Sequence, residues 1–183
     1  MTQPRIAPLT PPYPAEVQAG FDVVMRGAPP LQLFRVVARN PRVLARMMAG
    51  GLLDKGSVSL RQRELMILRT TALCGAEYEW GVHVAAFGAK AGLTPSQLQA
   101  TVHAGPGDVT WSADEQMIVR LADALHATND VDEALWQRLE GVFTHEQLIE
   151  LVMLAGLYHA VSFTLRAFRV PLEPGAPHFP ATN

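Results

Sequence analysis

Arg63-Glu-Leu-Met-Ile-Leu-Arg-Thr-Thr-Ala-Leu-Cys-Gly-Ala-Glu-Tyr-Glu-Trp-Gly-Val-His83 is the stretch on which the reading of this chain turns. Just before it, Ser59-Leu-Arg-Gln62 has the spacing of a capping box, in which a hydroxyl and a glutamine side chain satisfy the free amides of a helix start. A helix is therefore expected from near Leu60, with Glu64 in its first turn. A second helical run carries Glu77, Tyr78, Glu79, Trp80 and His83. Glu79 and His83 are four apart and share one helix face. A carboxylate beside an imidazole holds the ring and raises its pKa, which suits proton transfer near neutral pH. The same spacing also describes an ordinary surface pair.

Working outward, the punctuation stays helical. Asn40-Pro41 reads as a cap followed by proline at the first helical position. Thr94-Pro95-Ser-Gln97, Ser112-Ala-Asp-Glu115, Asp130-Val-Asp-Glu133 and Thr144-His-Glu-Gln147 repeat the box spacing, and Gly92 reads as a helix-ending glycine. Apolar residues recur at three and four, as in Leu148, Leu151, Val152 and Ala155, and no stretch alternates like a hairpin strand. The expectation is an all-α, single-domain bundle of about seven or eight helices. Residues 1–14 and 171–183 are proline-rich, so they read as an extended arm and tail around a helical domain at 15–170. Such arms are disordered or lie on a neighbour.

Composition narrows the partners. The 183 residues carry 17% charged side chains, 49% hydrophobic ones and a net charge of −2. There is no basic run to meet nucleic acid or an anionic membrane. The longest apolar run, Leu148 to Val161, is interrupted by Glu150, Gly156 and His159, so no membrane span is expected. The N-terminus lacks a signal pattern, and a cytoplasmic protein is expected. A chain this poor in charge is expected to form a homo-oligomer. The single cysteine, Cys74, excludes an intrachain disulfide. Glu79 and His83 could donate two ligands to a metal, but no second acid–histidine pair at bundle spacing follows, so no metal or cofactor is expected. His103, His126, His145 and His178 are read as solvated. Tyr158-His159 lies in an apolar helix, as core packing or a cavity wall. Trp80, Trp111 and Trp136 are read as packing residues.

Taken together, Arg-Glu-Leu-x-Ile-Leu-Arg, Ala-Glu-Tyr-Glu-Trp, His83 and Ala-x-x-x-Gly-Leu-Thr resemble the core of the carboxymuconolactone decarboxylase and alkyl hydroperoxidase D-like family, closely over about residues 60–100. In that family's hydroperoxidases a glutamate lies nineteen residues before a histidine, and Glu64 and His83 keep this spacing. Their two cysteines would fall at Ala76 and Glu79, so the disulfide cycle has no thiols here. The decarboxylases resemble this chain in having a glutamate four residues before the histidine, as Glu79 is, but their first histidine and arginine are replaced by Tyr78 and Gly81. The resemblance implies a helical enzyme performing acid–base decarboxylation or a related lyase step on a small carbonyl or lactone acid. His83 would donate the proton, Glu79 would orient it, Glu64 would set its tautomer or share the proton, and Tyr78 and His159 would bind substrate. The resemblance also implies a dimer, trimer or hexamer. The alternatives are a peroxidase using Cys74 and a non-catalytic oligomeric binding protein.

Overall fold

The computed structural model describes residues 3–181, and among these there are nine α-helices and no strands. Helix α4 (Leu60–Leu73) is the axle of the molecule. Every residue from Arg63 to Thr71 is buried, because the helix is enclosed by its neighbours and not laid on a surface. Around it lie α5 (Glu77–His83), α6 (Pro95–His103), α7 (Ala113–Thr128) and α9 (His145–Phe168). Leu65, Met66 and Ile67 of α4 meet Ile118 and Leu121 of α7 and Leu151 and Leu154 of α9 in the central core. Helix α8 (Glu133–Glu140) adds Leu135 and Leu139 to it. Helices α1 (Ala15–Met25), α2 (Gln32–Val37) and α3 (Pro41–Ala49) form a second apolar cluster, where Val17, Phe21 and Leu33 pack with Val161 and Leu165 of α9.

The caps explain where the helices start. Ser59, Thr94, Ser112 and Thr144 each close a reciprocal capping box, and Asn40 accepts from the Val43 amide. At α8 the sequence expectation needs correcting. The cap is Asp132, which accepts from Leu135 N–H, and not Asp130. Asp130 instead accepts from the next amide, Val131, upstream of the helix.

Helix α4 ends at Gly75, whose φ of 62° sits in the left-handed region. The Ala76 amide donates to Thr71 O and the Gly75 amide to Ala72 O, consuming two terminal carbonyls in a Schellman-type closure. A β-carbon at Gly75 would be strained by its φ and would also lie 2.9 Å from the Arg166 guanidinium. The chain therefore turns sharply, and α5 packs on α4. One turn of π-helix, Val84–Gly88, follows α5.

The described parts of both proline-rich ends, residues 3–14 and 171–181, are packed on the helical body of their own chain. Arg5 N–H donates to Phe168 O, and the Arg35 and Arg39 side chains donate to Leu9 O and Ala7 O. In the tail, Glu173 accepts from Tyr78 O–H and Gln32 N–H, and Glu77 accepts from Phe179 N–H. Phe179 meets Trp80 edge to face, with ring centroids 5.5 Å apart. Proline segments have few amides to pair in a ladder, so side chains of the helical body supply contacts beside the backbone bonds of Arg5 and Leu9.

Helix α9 departs from the expectation on membrane spans. Its 24 residues are long and apolar enough to cross a bilayer by length and composition. Leu148, Leu151, Leu154, Tyr158, Val161 and Leu165 nevertheless bury one side of it against the bundle, as in a core helix. Ile149, Met153 and Phe163 stay exposed on the other side.

Candidate active site

The α4–α5 pair brings together the three residues singled out for catalysis. Glu64 is fully buried one turn into α4, and His83 at the end of α5 is 3% exposed. His83 Nδ1 lies 2.7 Å from Glu64 Oε2. Arg63 holds the other carboxylate oxygen: its Nε donates to Glu64 Oε1 at 3.0 Å and Nη2 is 2.9 Å away. Its Nη1 donates to Leu53 O at 2.7 Å, so the guanidinium is fixed at both ends. Glu64 is thus clamped between a cation and the imidazole, and its bond fixes Nδ1 as the protonated nitrogen.

The opposite nitrogen faces a different pair. His83 Nε2 is 2.9 Å from the Tyr158 hydroxyl of α9 and 3.5 Å from Glu79 Oε1. The second oxygen of Glu79, Oε2, is buried with no hydrogen-bond partner among the described residues. The Phe87 ring, placed by the π-turn, packs beside His83 with centroids 5.4 Å apart. Arg63 lies over Phe87, and the exposed Lys90 ammonium is 5.7 Å from the ring centroid.

These surroundings set protonation. Burial works against the imidazolium, but hydrogen bonds from His83 to Glu64 and Glu79, and the charge of both carboxylates, outweigh it and raise His83 to about 9. At neutral pH the ring is an imidazolium that donates from Nδ1 to Glu64 and from Nε2 to the Tyr158 oxygen. Burial and the nearby Glu79 and Glu64 carboxylates push Tyr158 well above the ordinary phenol range, so it stays a phenol. If His83 gives up its Nε2 proton, Tyr158 O–H can donate back to it.

The other nominated residues lie elsewhere. The Tyr78 hydroxyl donates to Glu173 and accepts from Leu33 N–H, tying α5 to the tail and to α2. His159 pairs with His126 and with Ala155 O. Cys74 caps α4 and its sulfur lies 3.8 Å from His126 Nδ1. Two parts of the site had no role assigned from sequence: the Tyr158 hydroxyl and the Arg63 clamp. Arg63 adjoins Glu64 in sequence, a signal that was available. Tyr158 is 75 residues from His83, and only the packing of α9 brings it there.

Residues 40–106, which reach from α3 to just past α6 and include Glu64, Glu79 and His83, match the carboxymuconolactone decarboxylase family. Over that segment the chain is similar to this family. Solved structures extend the likeness to the whole fold. An uncharacterized peroxidase-related protein from Silicibacter sp. TM1040 superposes with a TM-score of 0.79 at 19% identity, covering 96% of this chain and 97% of that one. A cysteine-to-alanine form of the debrominase Bmp8, in complex with 2,3,4-tribromopyrrole, gives 0.75 at 14% identity, covering 95% and 94%. A peroxidase-related protein with an alkylhydroperoxidase AhpD core from Ralstonia eutropha JMP134 gives 0.69 at 14%, covering 94% and 95%. At these identities the likeness is one of fold. No curated protein matches the sequence. Within the matched segment, the methyl of Ala76 and the carboxylate of Glu79 stand where the resemblance places the attacking and resolving thiols of the hydroperoxidases. Glu79 therefore puts an acid, not a sulfur, next to Nε2 of the histidine.

Proposed function

We propose that the protein is an acid–base enzyme of the decarboxylase-like branch, acting on a small carbonyl or lactone acid. The observation that carries this reading is the relay Arg63–Glu64–His83, ending at a nitrogen shared by Tyr158 and Glu79. Glu64 takes the orienting role on Nδ1, which leaves Nε2 as the proton-delivering atom. Glu79 lies on that delivering side, and its unpartnered oxygen would accept from a substrate hydroxyl or share the proton. In the reaction, the bond between the substrate carboxylate and its α-carbon breaks, carbon dioxide leaves, and the electron pair stays behind as an enolate. His83 then supplies one proton to carbon, and solvent restores it. A buried cationic imidazolium also stabilises the enolate before transfer. Phe87 is the side chain that substrate would displace, and Lys90 beside it would attract the acid. A homo-oligomer is part of the proposal, with the exposed apolar residues of α9 as its contact.

A second reading is a non-catalytic binding protein. It is favoured by one observation: His83 is buried with both nitrogens already paired. A Cys74 peroxidase has less support. Burial raises the thiol, offset only in part by a hydrogen bond to Ser162 and by the Arg166 charge, and its sulfur faces His126, not His83.

The test is turnover of a panel of muconolactones and β-keto acids, followed by carbon dioxide release. The His83→Gln variant should lose on the order of 10²–10⁴ in rate while Cys74→Ser loses little. Absence of turnover by the folded wild-type protein would reject the enzyme reading. Activity that survives His83→Gln but not Cys74→Ser, both folded, would replace it with the thiol reading.

A further inference from the structure

Away from His83, three elements converge on a second cluster. Cys74 comes from the C-cap of α4, His126 from the last turn of α7 and His159 from the middle of α9. His126 Nδ1 lies 3.1 Å from His159 Nε2 and 3.8 Å from Cys74 Sγ, and ligand atoms of the three residues all fall within 4.8 Å of one another. They sit on the wall of a cavity of about 510 Å³, together with Asn129, Ser162 and Arg166.

We propose that Cys74 Sγ, His126 Nδ1 and His159 Nε2 form a three-ligand site for a zinc(II)-type ion, with the fourth position open to this cavity.

Three features of the geometry support the site. First, the two spacings from His126 fit, and the third pair lies within 4.8 Å. Zinc bonds of about 2.0–2.1 Å to nitrogen and 2.3 Å to sulfur, at tetrahedral angles, separate two nitrogens by roughly 3.3 Å and nitrogen from sulfur by roughly 3.6 Å. The observed 3.1 and 3.8 Å depart from these by only a few tenths of an ångström. Second, His159 is prepared as a ligand. Its Nδ1–H donates to Ala155 O at 2.8 Å, so the proton is held on Nδ1 and the lone pair on Nε2 faces the cluster. A backbone carbonyl on the distal nitrogen is the usual outer-shell support of a metal-bound histidine. Third, one thiolate and two imidazoles make a borderline-soft donor set that suits zinc and not magnesium or calcium. Three protein ligands beside a cavity match the open arrangement in which a water or small anion completes the shell. Arg166 lies at the same cavity and donates to Gly75 O at 2.6 Å.

The sequence expectation of no metal rested on the absence of a second acid–histidine pair at bundle spacing. Here the ligands are 52 and 33 residues apart, on three helices, so no local spacing records them.

The test uses the full chain, reduced and stripped with a chelator. Zinc is titrated in competition with a chromophoric chelator, and cobalt(II) serves as a spectroscopic probe. One equivalent per chain should bind, cobalt should give a thiolate-to-metal charge-transfer band, and zinc should shield Cys74 from alkylation. Cys74→Ser, His126→Gln and His159→Gln should each weaken zinc binding by more than the roughly 10–100-fold that loss of an outer-shell partner costs. His83→Gln, in the other site, should leave zinc affinity unchanged. The proposal fails if the wild-type chain shows no charge-transfer band, if the band persists in Cys74→Ser, or if His83→Gln abolishes binding while the cluster variants keep it. Should a cluster variant fail to fold, alkylation of wild-type Cys74 with and without zinc decides: equal rates reject the site.

Discussion

Of all the side chains in the molecule, His83 has surroundings that make the sharpest claim. An imidazole raised to about 9 stays a cation through neutral pH. Nitrogen-15 NMR should show the His83 ring doubly protonated at pH 7, losing its proton with a midpoint near 9; a neutral ring at pH 7 would contradict this balance of burial and charge. The same shift is a stability statement. Because the folded value lies above the ordinary 6.5, the stabilisation is fully present below about 6.5 and is lost as pH rises through about 9. It is on the order of 3 kcal/mol, since each unit is worth about 1.4 kcal/mol. His83→Gln should flatten that part of the stability profile. Glu64 and His83 were legible as a pair from their spacing and the family resemblance. The assignment of Glu64 to Nδ1 and of Tyr158 to Nε2 was not, because a ring has two nitrogens and sequence orders neither.

Among the helices, what was legible was what is local. The boxes at Ser59, Thr94, Ser112 and Thr144 involve side chains three residues apart, so their chemistry is complete within one turn. At Asp130 and Asp132 two acids competed for one cap, and spacing alone did not choose between them. The tail was harder still. Its docking depends on Gly81, whose absent side chain leaves room for the Pro177 carbonyl: a β-carbon there would stand 2.2 Å from that oxygen. Gly81→Ala should therefore lift the tail from α5. Limited proteolysis should cut the variant within residues 171–181 much faster than the wild type, while far-ultraviolet circular dichroism stays helical. Equal cleavage would show that the tail docks without this close approach. Replacing glycine by alanine in a helix normally stabilises it, so a loosened tail would be hard to ascribe to a weaker α5.

For the molecule as a whole, composition and α9 point the same way. Charged residues are only 17% of the chain, and Ile149, Met153 and Phe163 leave an apolar side of the longest helix uncovered. Light scattering at micromolar concentration should report a multiple of 19.9 kDa. Ile149→Glu combined with Met153→Lys, both away from either site, should shift the mass toward the monomer; a wild-type monomer would count against the assembly. The all-helical class was readable from periodicity, but the closure of the fold was not, since it rests on pairs such as Arg5 with Ala167 and Gln32 with Glu173, separated by 162 and 141 residues. Those pairs have a consequence for how the chain is made. Synthesis runs from the N-terminus, and the axle helix α4 leaves the ribosome long before α9, which must cover Leu65 to Ile67. Helices α1 to α3 likewise wait for Val161 and Leu165. The nascent protein must therefore carry an uncovered core through most of its translation, and folding is sealed in one late step when residues 145–173 emerge.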